Sequence, residues 1–345
     1  LSGALNILDP GLSTTLQDLG RAGYLRFGIP TSGALDTVSL KLANQLVGNI
    51  ESMGALECSY LGPSFIVEAE EIRIAFVGGH ARIHAHDGLD DGNGRILPMQ
   101  QSVVLRRGTQ VSVGSIRTAS TLYIAVEGGF DIEPTLGSQS TFLRGAIGGL
   151  DGRRLRTGDV LPLRQDKTEA RPELQTNGEI ESRTELRILR GPQAHYFSDQ
   201  EIERLCSATF TIASGSDRTG MRLEGLSLNH QRDFNITSDA VVHGSIQVPG
   251  DGNPIVLLAD RQTTGGYPKI ATIISADLPS AGRLPIGAKV CFRLIDIAEA
   301  EAARREAKQQ FHALIDSIRP VAGEAPLAER LMSGNLVSGV VNGCA

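Results

Sequence analysis

The run SFIVEAEEIRIAFVGG, residues 64–79, decides the fold class. It holds two short stretches rich in strand-forming residues, on either side of a polar break from Glu68 to Glu71. The same style recurs outward from it. SVVLRRGTQVSVG (102–114), STLYIAVEGG (120–129) and GDVLPL (158–163) follow, each broken by Gly, Pro or Asp. A second block repeats the habit: LRILRGP, ATFTIA, AVVHGSIQVP, NPIVLLAD, IATIISAD and AKVCFRLI. Between the blocks lies RQDKTEARPELQTNGEIESRTE (164–185), charged and almost without apolar residues, which reads as a linker or exposed loop. Many short strands with few helices point to barrels or sandwiches, not to a doubly wound sheet.

Two helices stand out. One begins at Asp36, a good N-cap, and runs through Val38, Leu42 and Leu46 to a stop at Gly48. The other begins at Asp296 with Glu299 three residues on, a capping-box pattern. Its later face carries Phe311, Leu314, Ile315 and Ile318, and Pro320 ends it. The expected organisation is an N-terminal domain over 1–163, a linker over 164–185, a second domain over 186–295, and a C-terminal helix and tail over 296–345. A short echo, Arg-x-Gly-x-x-x-x-Gly, joins RAGYLRFG (21–28) to RTGMRLEG (218–225) and raises the prospect of a duplicated β unit.

Composition narrows the function classes. The 345 residues are 41% hydrophobic but only 4% aromatic, with no Trp, so the core should be built from Val, Leu, Ile and Ala. Net charge is −6 and no basic run occurs, so nucleic acid has no electrostatic support. The four cysteines, Cys58, Cys206, Cys291 and Cys344, form no CxxC pair, which argues against a zinc site or disulfide framework and suits a reducing compartment. No apolar run approaches the ~20 residues of a membrane span. The start, LSGALNILDP, carries no positive n-region. The expectation is a cytoplasmic protein without membrane or nucleic-acid partners.

Stock catalytic motifs are missing. There is no GxxxxGK[ST] phosphate loop, no strand-GxGxxG-helix, no GxSxG elbow, and no Met-Lys pair of the kind that carries biotin. The candidates are polar constellations instead. Gln17, Asp18 and Arg21 place an amide, a carboxylate and a guanidinium just before a turn whose backbone donors include those at Ser32 and Gly33. Arg binds carboxylate or phosphate through paired hydrogen bonds, and turn amides form anion nests. The plainer alternative pairs Arg21 with Asp18 to fix the turn, with Asp36 merely capping its helix. Ser138 and Ser140 (with Thr141) follow a glycine and either face a polar ligand or bond nearby backbone. In SDAVVHGSIQVPGDGNPIVLLADRQTTGGYPKIA (238–271), His243, Gln247, Asp260, Gln262, Thr263, Thr264, Gly266 and Tyr267 punctuate two strands and a glycine turn. His243 suits acid–base work or a structural role, and Lys269 suits an anion. His80, His84 and His86 lack a completing ligand cluster, and DGLDDGNG (87–94) reads as a hairpin turn, so no metal is expected.

TTLQDLGRAGYLRFGIPTSGALD, LANQLVGN, ALECSYLGP, LYIAVEGGFD, LGSQSTFLRGAIGGLDGRRLRTGD and ADRQTTGGYPKIA resemble, in the same order, the biotin-dependent carboxyltransferase A/B-domain family, long labelled allophanate hydrolase subunit 2. That family includes the C-type subunit of 5-oxoprolinase, an antagonist of a sporulation kinase inhibitor, and part of urea carboxylase. The resemblance implies a mainly β protein of two linked cyclophilin-like barrels, with a few short helices and one longer C-terminal helix. It implies membership of an ATP-dependent 5-oxoprolinase complex, using ATP with Mg, that opens 5-oxoproline to glutamate. A C/D-domain-type partner, the B-type component of 5-oxoprolinase, and an A-type component would complete it. Arg21 and the glycine-turn amides would then stabilise phosphate or substrate carboxylate, and His243 or Asp260 would handle protons. The alternatives are a biotin-dependent urea-type carboxyltransferase half and a non-enzymatic antagonist of a histidine-kinase inhibitor. The expected cleft has Gln17, Arg21 and the turn through Gly33 as one wall, and His243 to Tyr267 as the other.

Overall fold

A computed structural model of the chain describes residues 3–87 and 94–321. The expected turn at 87–94 falls largely outside them, and the tail SGNLVSGVVNG lies outside them altogether.

The first half closes one core between two antiparallel sheets. One has the strand order Val160–Pro162, Ala4–Asp9, Ser64–Val67, Gln110–Val113, Ile83–His86, Arg95–Leu97. The other runs Ser13–Gln17, Ala55–Ser59, Arg117–Val126, Glu71–His80, Ser102–Arg106. Ile7, Leu56, Phe65, Ile74, Phe76, Leu122 and Ile124 fill the space between them. The strand Arg117–Val126 explains its own continuous apolar run. Leu122 and Ile124 face the inter-sheet core, while Tyr123 and Ala125 face the opposite way, under helix α1 (Thr37–Leu46). A strand covered on both faces has no polar alternation to show.

The second half is a closed barrel of seven strands: Glu185–Arg190, Lys269–Ile273, Ser245–Gln247, Ile255–Leu257, Gly220–Glu224, Phe210–Ile212 and Lys289–Leu294. Its one parallel junction, Glu185–Arg190 against Lys289–Leu294, closes the cylinder and removes open edges. Ile188, Phe210, Leu223, Ile246, Val256 and Phe292 fill it. Helix α2 (Asp199–Ser207), capped by Ser198, covers one side, and the short α3 (Leu278–Arg283) faces the first half. Helix α4 (Ile297–Asp316) carries the expected capping box between Asp296 and Glu299. No helix among the described residues is long and apolar enough to cross a membrane.

The charged segment 164–185 is strapped to the first half. Arg73 donates to the Arg171 carbonyl at 2.8 Å, Arg171 pairs with Glu127 at 2.7 Å, and Leu174–Gln175 forms a ladder with Arg319–Pro320. The Arg-x-Gly echo does not extend to local structure. Gly220 opens a barrel strand, whereas Arg21 leads into a single 3₁₀ turn at Leu25–Phe27.

Candidate functional site

The two halves meet across a set of buried charges that the chain brings together from distant positions. Glu57 lies on the strand Ala55–Ser59, opposite Tyr123 in register. Its carboxylate accepts from the Tyr123 hydroxyl at 2.6 Å and from the Leu35 amide at 2.9 Å. Its other oxygen accepts from Arg218 of the second half. Arg218 also donates to Asp260 through Nε at 2.9 Å and Nη2 at 3.1 Å, and to the Gly33 carbonyl at 2.6 Å. Burial opposes the Arg218 charge, but Asp260 and Glu57 outweigh it and hold the guanidinium above its ordinary pKa. A second bridge runs from Arg283 to Asp36, 2.7 Å, so Asp36 caps α1 and also anchors the other half. Gly282 lets this approach happen, since a Cβ there would lie 2.2 Å from the Leu35 carbonyl oxygen.

The opening stretch folds against residues 138–141. Asp18 accepts from the Gly20 amide (2.7 Å), the Ser138 hydroxyl (2.6 Å), the Gln139 amide (2.6 Å) and the Ser140 hydroxyl. Ser138 and Ser140 therefore shape the scaffold around Asp18. Gln17 donates to Thr15 and to the Thr141 carbonyl, while its side-chain amide oxygen has no partner among the described residues. Ser32 is buried at φ +52°, and its hydroxyl is likewise unpartnered. Gly33 at φ +89° returns the chain so tightly that a Cβ would approach the Gly20 nitrogen to 2.9 Å.

Arg21 does not form the turn-fixing pair with Asp18. It is 1% exposed, donates through Nη2 to the Ser140 carbonyl, and leaves Nε and Nη1 without a partner. Burial lowers its pKa, while Asp18 and Asp260 act against that from beyond contact. Guanidinium keeps its proton in proteins, so the side chain is a buried cation with two idle donors.

The segment from His243 to Tyr267 supplies the facing surface. Gln262 donates to Gln247 at 3.2 Å, and Gln247 donates to the Tyr267 carbonyl at 3.3 Å. Thr264–Gly265 forms a short ladder with Asp239–Ala240, the carbonyls of Thr263 and Gly266 accept from Val241 and Ile236, and the Tyr267 ring is exposed. Lys269 is engaged by Asp239 at 2.8 Å and by the Ala240 carbonyl. His243 Nε2 has no partner, and burial together with Arg261 and Arg218 pushes its pKa down to about 3. It is a neutral imidazole near pH 7. Asp260 is held bidentate by Arg218, a geometry that suits anchoring.

Arg261, between Asp260 and Gln262, escaped the reading of the sequence. It is 3% exposed, touches Thr31 Oγ1 at 3.4 Å, and leaves Nε idle. Thr31 in turn accepts the Arg21 amide at 2.8 Å through its carbonyl. The two predicted walls therefore do meet, at Thr31–Arg261 and at Gly33–Arg218–Asp260. The available signal was an arginine inside an otherwise uncharged polar run that a single carboxylate precedes.

Two other hollows are less eventful. A cleft of about 80 Å³ between the halves reaches Arg218 beside Tyr60, Ser120 and Gly282. A cavity of about 440 Å³ under α4 is lined by Ile180, Phe311 and Leu314, and its Arg187 is satisfied by Asp277. His84 and His86 lie on the strand Ile83–His86, half-buried and exposed, and among the described residues no three His, Cys, Asp or Glu side chains gather to hold a metal.

The chain is similar to known proteins along most of its length. The C subunit of 5-oxoprolinase from Escherichia coli is 36% identical over 313 residues, covering 90% of this chain and 97% of its own length. That of Haemophilus influenzae is 34% identical over 320 residues, covering 93% and 99%. The solved structure of K. lactis Urea Amidolyase superposes with a TM-score of 0.81 at 27% identity over 92% of this chain, which spans only 21% of that larger protein. Residues 27–294 match the family described as carboxyltransferase domain, subdomain A and B, and the chain belongs to that family.

Proposed function

We propose that this chain is the C-type component of a bacterial ATP-dependent 5-oxoprolinase, opening 5-oxoproline to L-glutamate together with a C/D-domain partner and an A-type component. The observation that carries the reading is coverage: likeness to two proteins named as the C subunit of 5-oxoprolinase extends over 97% and 99% of their lengths. The site supports it chemically. 5-Oxoproline carries a carboxylate, and ATP when bound supplies a phosphoryl group that makes the ring amide carbon easier to attack. Both present oxyanions, and the interface holds Arg21 with two idle donors beside turn backbone at Ser32 and Gly33. His243, with its pKa pushed down to about 3, is too weak a base for general-base work near pH 7 and serves as a neutral hydrogen-bonding group, and Asp260 fixes the Arg218 bridge that holds the walls together. Gln17, Gln247 and Gln262 orient the substrate from either side.

A second reading, the carboxyltransferase half of a urea-type enzyme acting with carboxybiotin, draws on the likeness to K. lactis Urea Amidolyase. The chain spans a small fraction of that protein, so biotin-carrying and biotin-carboxylating partners would be required. The test is glutamate release from 5-oxoproline and ATP, with the chain alone and with its partner subunits. Release only in the assembled enzyme is expected. Robust release by the chain alone contradicts the partner requirement, and no release from any assembly contradicts the activity.

A further inference from the structure

Arg283 is paired with Asp36, and the three other arginines of the interface differ in their surroundings in a way that points to a ligand. Arg218 has carboxylate oxygens on both sides. Arg21 and Arg261 are at least as buried, yet among the described residues neither forms a salt bridge, and three of their nitrogens have no partner. Nor is any neighbouring carboxylate free to turn toward them. Asp18 is filled by four donors, Asp260 is held bidentate by Arg218, and Glu57 is divided among Arg218, Tyr123 and Leu35. A buried cation without compensation is strongly unfavourable, and native interiors rarely keep one idle.

We propose that Arg21 and Arg261 form a two-armed receptor for one oxyanion, a carboxylate or a phosphoryl group, bound between the two halves beside His243 and Ser32. Thr31 sets the spacing. Its carbonyl accepts the Arg21 backbone amide at 2.8 Å and its hydroxyl accepts from Arg261 Nη1 at 3.4 Å, so the backbone that carries one arm and the guanidinium of the other meet at one residue. The idle atoms also fit an anion by type. Guanidinium nitrogens only donate, and Arg21 Nε and Nη1 with Arg261 Nε present three donors to an acceptor that must have several lone pairs. Ser32 Oγ and His243 Nε2 are further idle polar groups of the adjoining turn and the facing wall.

The identity of the anion rests on the proposed function; the receptor itself does not. The experiment measures binding of inorganic phosphate and of 5-oxoproline, by calorimetry and by melting shift. It uses the full chain and the chain joined to its partner subunits. At least one probe should bind, and Arg21→Gln and Arg261→Gln should each weaken it by about tenfold or more, the scale of a lost charge-assisted hydrogen bond. Both variants should melt no lower than the parent without ligand and lose the ligand-induced rise. Arg261→Lys, which keeps the charge but not the fork, should fall between. Phosphate binding alone assigns the receptor to a phosphoryl group, and 5-oxoproline binding alone to the carboxylate. Failure of both probes to bind overturns the proposal, as does unchanged affinity in Arg261→Gln. Anion binding in an assembly that releases no glutamate sustains the receptor and defeats the oxoprolinase reading. Turnover with both variants fully active does the reverse.

Discussion

Arg218 and Arg21 begin the same Arg-x-Gly pattern and reach the same interface, one largely and the other wholly buried, yet they keep opposite company. Arg218 is clasped by Glu57 from one half and Asp260 from the other, and also donates to the Gly33 carbonyl. Among the described residues the Arg21 side chain has a single carbonyl partner, and that of Arg261, across Thr31, has only a long contact to a hydroxyl. The difference separates two tasks that one interface performs. Saturated charges fix the two halves relative to each other, because removing any member strands the rest in a medium that cannot solvate them. Unsaturated charges contribute nothing of that kind and are explained by something that arrives from outside.

The contrast is broken most forcefully at Arg218. Arg218→Gln leaves Glu57 and Asp260 buried without their cation and should cost about 3–5 kcal/mol, read by urea unfolding. A loss within the range of an ordinary surface change would show that the bridge does not join the halves. Next comes Asp18, whose carboxylate organises the 138–140 segment that receives Arg21. Asp18→Ala strands two hydroxyls and two amides and should cost about 2–3 kcal/mol while also disturbing the site. Ser138→Ala alone should lose less, since three donors to Asp18 remain.

The smallest effect, taken per pH unit, is a pH dependence. His243 titrates near 6.5 when unfolded but near 3 when folded. Below about pH 6.5 the unfolded chain takes up a proton that the folded chain refuses. The stabilising contribution is thus whole above that pH and falls by about 1.4 kcal/mol per unit as pH drops toward 3. His243→Asn should flatten that part of the stability profile. An unchanged slope between pH 6 and 4 would place the imidazole in contact with solvent.

Much of the scaffold was legible in the sequence. Asp36 and the Asp296/Glu299 pair mark the starts of α1 and α4 because capping is local chemistry written within four residues. The strand-rich runs declared themselves for the same reason, whereas the closeness of the 17–33 and 243–267 segments was an expectation from what an anion needs on two sides, and Thr31–Arg261 and Gly33–Arg218 bring those segments together. The charges that define the interface did not. Glu57 reads as one polar residue in an apolar strand, and its partner Arg218 is 161 positions away. Asp36 was recognisable as a cap but not as the anchor of Arg283, since nothing in a helix start records a guanidinium from the other half. Arg261 stands unmarked beside Asp260, since nothing in an Asp–Arg dipeptide records where either side chain points. In a fold those neighbours point to different partners, and Asp260 is already taken by Arg218.

The central claim is that the interface divides its arginines between holding and receiving. It is tested most directly by unfolding Arg218→Gln, Arg21→Gln and Arg261→Gln side by side in ligand-free, anion-poor buffer. The account predicts that Arg218→Gln loses several kcal/mol (about 3–5) while the other two stay within about 1 kcal/mol of the parent or exceed it. Losses at Arg21 or Arg261 as large as that at Arg218 would make all three structural and contradict it.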